Sequence, residues 1–274
     1  MKVFGYIPRD TPIHKLTGAS KLLLTFALSI SAMITFDTRF MVFVIIVSFI
    51  LFSISGLKFS DFKAILTLLI LFMVINNIAI YLFAPEQGVL IYGTRNELAH
   101  IAGRYSITSE QLFYQLNVTL KYFAIVPVAL VFFLTTEPGE FASSLNTIKV
   151  NFKVAYAVSL SLRYIPDIQR SYREISQAQQ ARGVDISKKA PIKARLAGIL
   201  TILFPLVFSS LDKIDLISNA MELRGFGRLK KRTWYSTRPF SKGDYVIIGF
   251  CILSILLSIT TLIINNGRFY NPFI

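Results

Sequence analysis

Apolar residues fall along this chain in long blocks separated by short polar segments. Four runs, 40–57, 64–84, 116–134 and 245–264, approach or reach the roughly 20 residues that a helix needs to cross about 30 Å of hydrocarbon. A fifth, 22–36, is shorter, and Lys21 and Arg39 at its flanks are placed to snorkel to the two interfaces. The pattern predicts an all-α polytopic membrane protein with five transmembrane helices. Residues 1–134 hold the first four helices, with a loop at 85–111, and residues 245–274 hold the last helix and the C-terminus. The loop ends in Thr108-Ser109-Glu110-Gln111, the spacing of a capping box in front of the fourth span.

Residues 135–244 follow a different pattern. Thr136-Glu137-Pro138 is a helix start with Pro in the first turn, and a short helix runs from there to about Lys149. A second helix places Val154, Val158, Leu162, Ile165, Ile168, Tyr172, Ile175 and Ala178 on one stripe, each step three or four residues. It stops at Arg182-Gly183, where glycine supplies the left-handed conformation of a helix end. A third helix begins near Pro191 and runs to Arg224-Gly225, with Pro166 and Pro205 inside the two long helices. The patch 196–211 is apolar but closely flanked by charge, so it is read with the polar block and not as a span.

Composition and charge agree with the pattern. Of 274 residues, 54% are hydrophobic and 16% charged, against about 25% charged for a soluble chain. One cysteine, Cys251, excludes an intramolecular disulfide. The net charge of +14 would suggest nucleic acid in a soluble protein; here it points first to the positive-inside bias, and no nucleic-acid partner is expected. Residues 135–244 carry 18 Lys and Arg against nine Asp and Glu. With that block in the cytoplasm, 24 of the 29 Lys and Arg lie inside and only Arg39, Arg95, Arg104 and Arg268 outside. The expected topology is therefore a multi-pass cell-membrane protein with a cytoplasmic N-terminus and 85–111 external. The run Arg228-Leu229-Lys230-Lys231-Arg232 would attract anionic headgroups of the lipid bilayer by about 1 kcal/mol per basic residue.

The two long polar-block helices end in a repeat. Ala178-Gln179-Gln180-Ala181-Arg182-Gly183-Val184 matches Ala220-Met221-Glu222-Leu223-Arg224-Gly225-Phe226, 42 residues further on. A single Arg before a terminal Gly is explained by the helix dipole. Two copies in register suggest a paired receptor. The two Arg-Gly ends resemble the paired Ala-Arg-Gly motifs of the transmembrane (T) component of energy-coupling factor transporters. Pro12-Ile13-His14-Lys15-Leu16, Lys21-Leu22-Leu23, Thr135-Thr136 with Pro138, and Leu162-Arg163-Tyr164-Ile165-Pro166 resemble further segments of that family, so the resemblance extends from about residue 12 to 264. One position departs, Leu223 where the family motif has Ala, which bears on how closely the second tip approaches its partner.

The resemblance implies a scaffold that links two ABC-type ATPase subunits to a membrane substrate-binding (S) subunit in ATP-driven vitamin or micronutrient uptake. The ATPase-docking residues it implies are Ala181, Arg182, Gly183, Leu223, Arg224 and Gly225. An S-subunit contact is expected on the stripe at Val158, Leu162 and Ile165, which is too apolar to face water alone. No cofactor is expected in this chain, ATP and Mg belonging to the ATPases. The residues agree with a non-catalytic subunit: no P-loop, no Gly-x-Ser-x-Gly and no His-Glu-x-x-His occurs, and His14 and His100 stand alone in distant segments.

Three other readings compete. A secondary transporter or channel acting alone would place ionisable residues within the spans, where only Lys121 and the polar pair Asn76-Asn77 occur. Lys121 is placed to snorkel outward, and the Asn pair to form interhelical hydrogen bonds. An intramembrane enzyme lacks paired carboxylates or metal ligands at membrane depth. A lipid-binding scaffold would rest on the basic run alone.

Overall fold

The computed structural model describes residues 9–102, 105–187, 191–228, 233–234 and 238–273. The described residues form helices and one hairpin. Ten helices and two strands run in the order α1 (Pro12–Lys15), α2 (Gly18–Ile34), α3 (Thr38–Ile54), α4 (Phe59–Phe83), α5 (Gln87–Tyr92), β1 (Glu97–Ala102), β2 (Tyr105–Thr108), α6 (Ser109–Thr135), α7 (Pro138–Thr147), α8 (Phe152–Ala181), α9 (Ile192–Leu223) and α10 (Lys242–Ile264) among the described residues. They form two compact units, Met1–Glu137 with Arg238–Ile274, and Pro138–Thr237.

In the first unit the apolar helices start on polar caps that lie outside the hydropathy runs. Thr17, Asp37 and Thr108 each accept a bond from a backbone N–H in the first turn that follows, satisfying donors that a helix start leaves open. For that reason α6 begins at Ser109, seven residues before the apolar run at 116. Only half of the expected capping box forms there. Thr108 accepts from Gln111 N–H at 3.2 Å, but the Gln111 side chain accepts from Gly88 N–H and donates to the Ala84 carbonyl. The segment expected as a loop is thereby built, with α5 and the antiparallel pair β1–β2 held against the start of α6. Glu110, fully buried, accepts from Thr94, from Asn96 backbone and side chain, and from Ser109.

Asp244 joins two helix starts that are far apart in sequence. It closes a capping box with Ser241 on α10 and accepts from Thr17 N–H at 2.8 Å and Thr17 Oγ1 at 2.9 Å at the start of α2. Between these helices and α3 and α6 lies a core of Leu24, Ala27, Leu28, Ala32, Phe40, Val44, Ala124, Val128 and Cys251. Small residues at such seams let helices approach closely, and Ser48 Oγ donates across one of them to the Ala124 carbonyl at 2.9 Å. The C-terminal tail is fixed as well. Phe269 stacks on Phe36 with centroids 4.7 Å apart, and the Arg268 guanidinium donates to the Met33 and Ile34 carbonyls.

Of the two lysines expected to snorkel, Lys21 does otherwise. Lys21 is 3% exposed and donates to the Thr135 carbonyl at 2.9 Å, at the C-terminal end of α6. A buried ammonium finds there the negative end of a helix dipole and an open carbonyl. Lys121 lies half-buried with Nζ 3.4 Å from the Phe36 ring centroid, a cation–π contact. Asn77 makes the expected interhelical bond, to Thr119 Oγ1 at 3.2 Å.

Among the described residues four helices are long and apolar enough to cross a membrane: Phe62–Phe83, Ser109–Thr135, Ile192–Leu223 and Lys242–Ile264, while α2 and α3 are shorter apolar helices. Together with the apolar composition, these helices make this a multi-pass membrane protein. The differences from the sequence pattern are α3, which at 17 residues is shorter than a full span, and α9, which is long and apolar enough to be one. Arg195 and Asp212 bound its apolar patch, yet the helix continues through both for 32 residues.

The second unit consists of α7, α8 and α9. α7 packs on α8, and α8 packs on α9. Three contacts show that α8 and α9 run antiparallel. Val184 and Ile186, just past the end of α8, press on Gly198 near the start of α9; a Cβ there would lie 3.0 Å from Val184 Cγ1 and 3.1 Å from Ile186 Cγ2. Lys213 Nζ bonds Ser171 Oγ at 3.0 Å near the middle. Phe226, just past the end of α9, stacks 4.6 Å from Tyr156 near the start of α8.

Candidate functional site

Each Arg-Gly end is a helix stop of the same geometry. At the first, Gly183 has φ +89°. Its N–H bonds the Gln180 carbonyl at 2.9 Å, and Val184 N–H bonds the Gln179 carbonyl at 3.1 Å. At the second, Gly225 has φ +69°, its N–H bonds the Glu222 carbonyl at 2.8 Å, and Phe226 N–H bonds the Met221 carbonyl at 2.9 Å. Both are Schellman motifs, with the paired 6→1 and 5→2 bonds and a left-handed residue that only glycine adopts freely. Arg182 and Arg224 occupy the equivalent C-cap position, with φ and ψ of −85° and 7° against −82° and 8°.

The side chains of these tips point away from the rest of the unit. Ala181, Arg182, Gly183 and Arg224 are exposed, Gly225 is half-buried, and Leu223 is 90% exposed. Neither guanidinium forms an ion pair or a side-chain hydrogen bond among the described residues. Because α8 and α9 are antiparallel, the two tips stand at opposite ends of the pair. A helix of 32 residues rising about 1.5 Å per residue sets them on the order of 45 Å apart. The structure therefore gives the six sequence-predicted tip residues one backbone geometry and two separate locations.

The stripe residues lie along the same helix. Val158 and Leu162 are half-buried and Ile165 is 48% exposed, with Ile168 and Tyr172 also exposed. α9 adds Leu196, Leu200, Phe204, Val207, Phe208 and Leu211, each at least half exposed. The packing of α8 on α9 therefore leaves much of both apolar faces uncovered within this chain.

An aromatic anchor at the second tip escaped the sequence reading. Phe226 packs on Phe152 and Tyr156, Trp234 packs on the same two rings, and Trp234 Nε1 donates to Asn146 Oδ1 at 3.1 Å. The available signal was the change from Val184 to Phe226 at matching positions of the repeat. Of the basic run, residues 229–232 lie outside the described residues.

Comparison with known proteins bears on these features directly. Residues 9–235 match the cobalt transport protein (CbiQ) family. The chain belongs to that family. The match takes in α7, α8, α9 and both Arg-Gly tips. Among its relatives, the energy-coupling factor transporter transmembrane protein EcfT of Exiguobacterium sibiricum is 27% identical over 97% of this chain and 100% of its own length. EcfT of Lactococcus lactis is 28% identical over 92% of this chain and 94% of its own, and EcfT of Bacillus subtilis 23% over 94% and 97%. The likeness to the transmembrane component of energy-coupling factor transporters extends over 92–97% of this CbiQ-family chain. It does not favour a secondary transporter or channel acting alone, and it fits a non-catalytic transport subunit.

Proposed function

We propose that this CbiQ-family chain is the membrane scaffold that couples two ABC-type ATPase subunits to a membrane substrate-binding S subunit, in ATP-driven uptake of a vitamin or micronutrient. One ATPase docks at the tip formed by Ala181, Arg182 and Gly183, and the other at the tip formed by Leu223, Arg224 and Gly225. ATP and Mg are held by those subunits. The S subunit contacts the uncovered apolar face that includes Val158, Leu162 and Ile165. The observation that carries the reading is the pair of Schellman ends of matching geometry, each with an exposed Arg, at opposite ends of one antiparallel helix pair. Such a pair offers a rigid bar with one contact for each of two subunits.

Orientation follows from the same reading. Both tips then face the cytoplasm, with the N-terminus on that side. α9 starts beside the first tip and ends at the second, so both of its ends lie on one side of the membrane. It therefore runs along the bilayer surface despite being long enough to cross, and its apolar face meets lipid or the S subunit.

Arg suits the docking role because its planar fork bonds carboxylates or carbonyls through two donors at once. Truncating one Arg of a buried contact should weaken association by roughly 2–5 kcal/mol, much of it from the partner group left unpaired. A purely dipolar role would cost only about 0.3–1 kcal/mol. Arg182→Ala combined with Arg224→Ala should therefore abolish ATPase co-purification and substrate uptake while the membrane helices stay folded. Normal uptake by the double variant would end the coupling reading.

A further inference from the structure

The two tips share their backbone but differ in two exposed side chains, Ala181 against Leu223 and Gln180 against Glu222. Ala181 and Leu223 hold the same position, immediately before the C-cap Arg. The first tip completes its Schellman motif with Ala there, so the cap does not need Leu. Such ends draw their apolar contact from the residue after Gly, and at the second tip that residue, Phe226, packs on Tyr156 and Phe152 of α8. Leu223 takes part in neither and is 90% exposed. A single exposed Leu on a protein surface is ordinary. This one sits beside an Arg that forms no ion pair among the described residues, at the one apolar position exposed on both tips where the repeats diverge. The aromatic anchor also fixes the tip that presents it.

We propose that Leu223 makes the tips selective, so that the second tip seats an ATPase surface with an apolar pocket beside its Arg groove and the first tip seats one without it. This rests on the docking reading above and adds to it the residue that tells the two receptors apart. Leu in place of Ala in a matched pocket changes affinity by roughly 10- to 100-fold, enough to orient an asymmetric ATPase pair on the bar. In a shallow groove shaped for Ala the longer side chain clashes, so the discrimination works in both directions.

The test uses the whole transporter purified from its native membrane. A photo-reactive benzophenone amino acid is placed at Gln180 or at Glu222, equivalent exposed positions of the two tips, and the captured chains are identified by peptide mass spectrometry. The parent should capture a different ATPase chain at each position. In the exchanged variant, Ala181→Leu with Leu223→Ala, the ratio of the two captured chains at each position should shift by about tenfold or more towards the other. An unchanged ratio in the exchanged variant, or one and the same ATPase chain at both positions of the parent, would overturn the selectivity. Capture of no ATPase at either position would instead overturn the docking reading itself.

Discussion

Single residues set the shape of both tips. A left-handed conformation costs an L-residue roughly 1–2 kcal/mol, and Gly183 and Gly225 avoid that cost. Gly183→Ala and Gly225→Ala should each destabilise the helix end by about that amount. A Cβ at Gly183 meets nothing within 4 Å, and one at Gly225 meets only the flexible Arg228 side chain at 3.2 Å, so the two losses should be similar. Hydrogen exchange at 178–184 and at 220–226 in the respective variants measures them. Lys149 adopts φ +70° at the end of α7 without glycine, with Val150 N–H bonded to the Leu145 carbonyl at 3.0 Å. A rule that reads glycine as a stop finds two of these three ends. Asp37 offers a pH test. Burial alone would raise its pKa, but bonds from the Arg39 side chain, Asn265 and Arg39 N–H outweigh burial and hold its carboxyl below the usual range. Its contribution is therefore full above the unfolded carboxylate pKa, near 4, and is lost as pH falls through the lower folded value. Asp37→Asn should lower thermal stability in detergent at pH 7, and the gap to the parent should close as the pH is taken below about 4.

At the scale of elements, α8 and α9 were readable almost residue for residue. A three-to-four-residue apolar period, a proline near the start and an Arg-Gly stop are local signals, and the helices end where those signals place them. The start of α6 was readable from Thr108 as its cap, but the hairpin β1–β2 was not. The hairpin's place depends on Glu110 and Gln111 being held by residues 84–96, contacts that no periodicity encodes. The uncovered stripe on α8 yields a prediction of its own. Val158→Asp or Leu162→Asp would bury a carboxylate in an apolar interface at a cost on the order of several kcal/mol. Either variant should lose the S subunit from the purified transporter and retain both ATPases. Loss of the ATPases first would count against the stripe as the S-subunit contact.

For the whole molecule, the proposed scaffold requires both ends of α9 to lie on one side of the membrane. On a Cys251→Ala background, single cysteines at Ala99, Ser187 and Thr233 report the hairpin and the two ends of α9, and all three positions are exposed. An impermeant thiol reagent should label Ala99→Cys in intact cells, and Ser187→Cys and Thr233→Cys only after the cells are opened. Opposite behaviour of the last two would mean that α9 crosses the bilayer and that the tips do not share a compartment. Charge points to the expected result, since 18 Lys and Arg fall within residues 135–244 and basic loops stay inside.

The amino-acid sequence by itself determined the all-α membrane class, the long helices and the repeated Arg-Gly ends. Each is a statement about neighbours within a few residues, where helical period, apolar length and glycine backbone freedom act. Only the tertiary structure decided that the two tips lie at opposite ends of one antiparallel pair, and that Lys21 seeks the end of α6. It also showed Asp244 capping two helices at once. The last two outcomes depend on which buried polar group finds which partner across more than a hundred residues of chain, and the first on contacts between two helices that periodicity does not pair. A buried charge must be satisfied, but its sequence neighbours do not say by what.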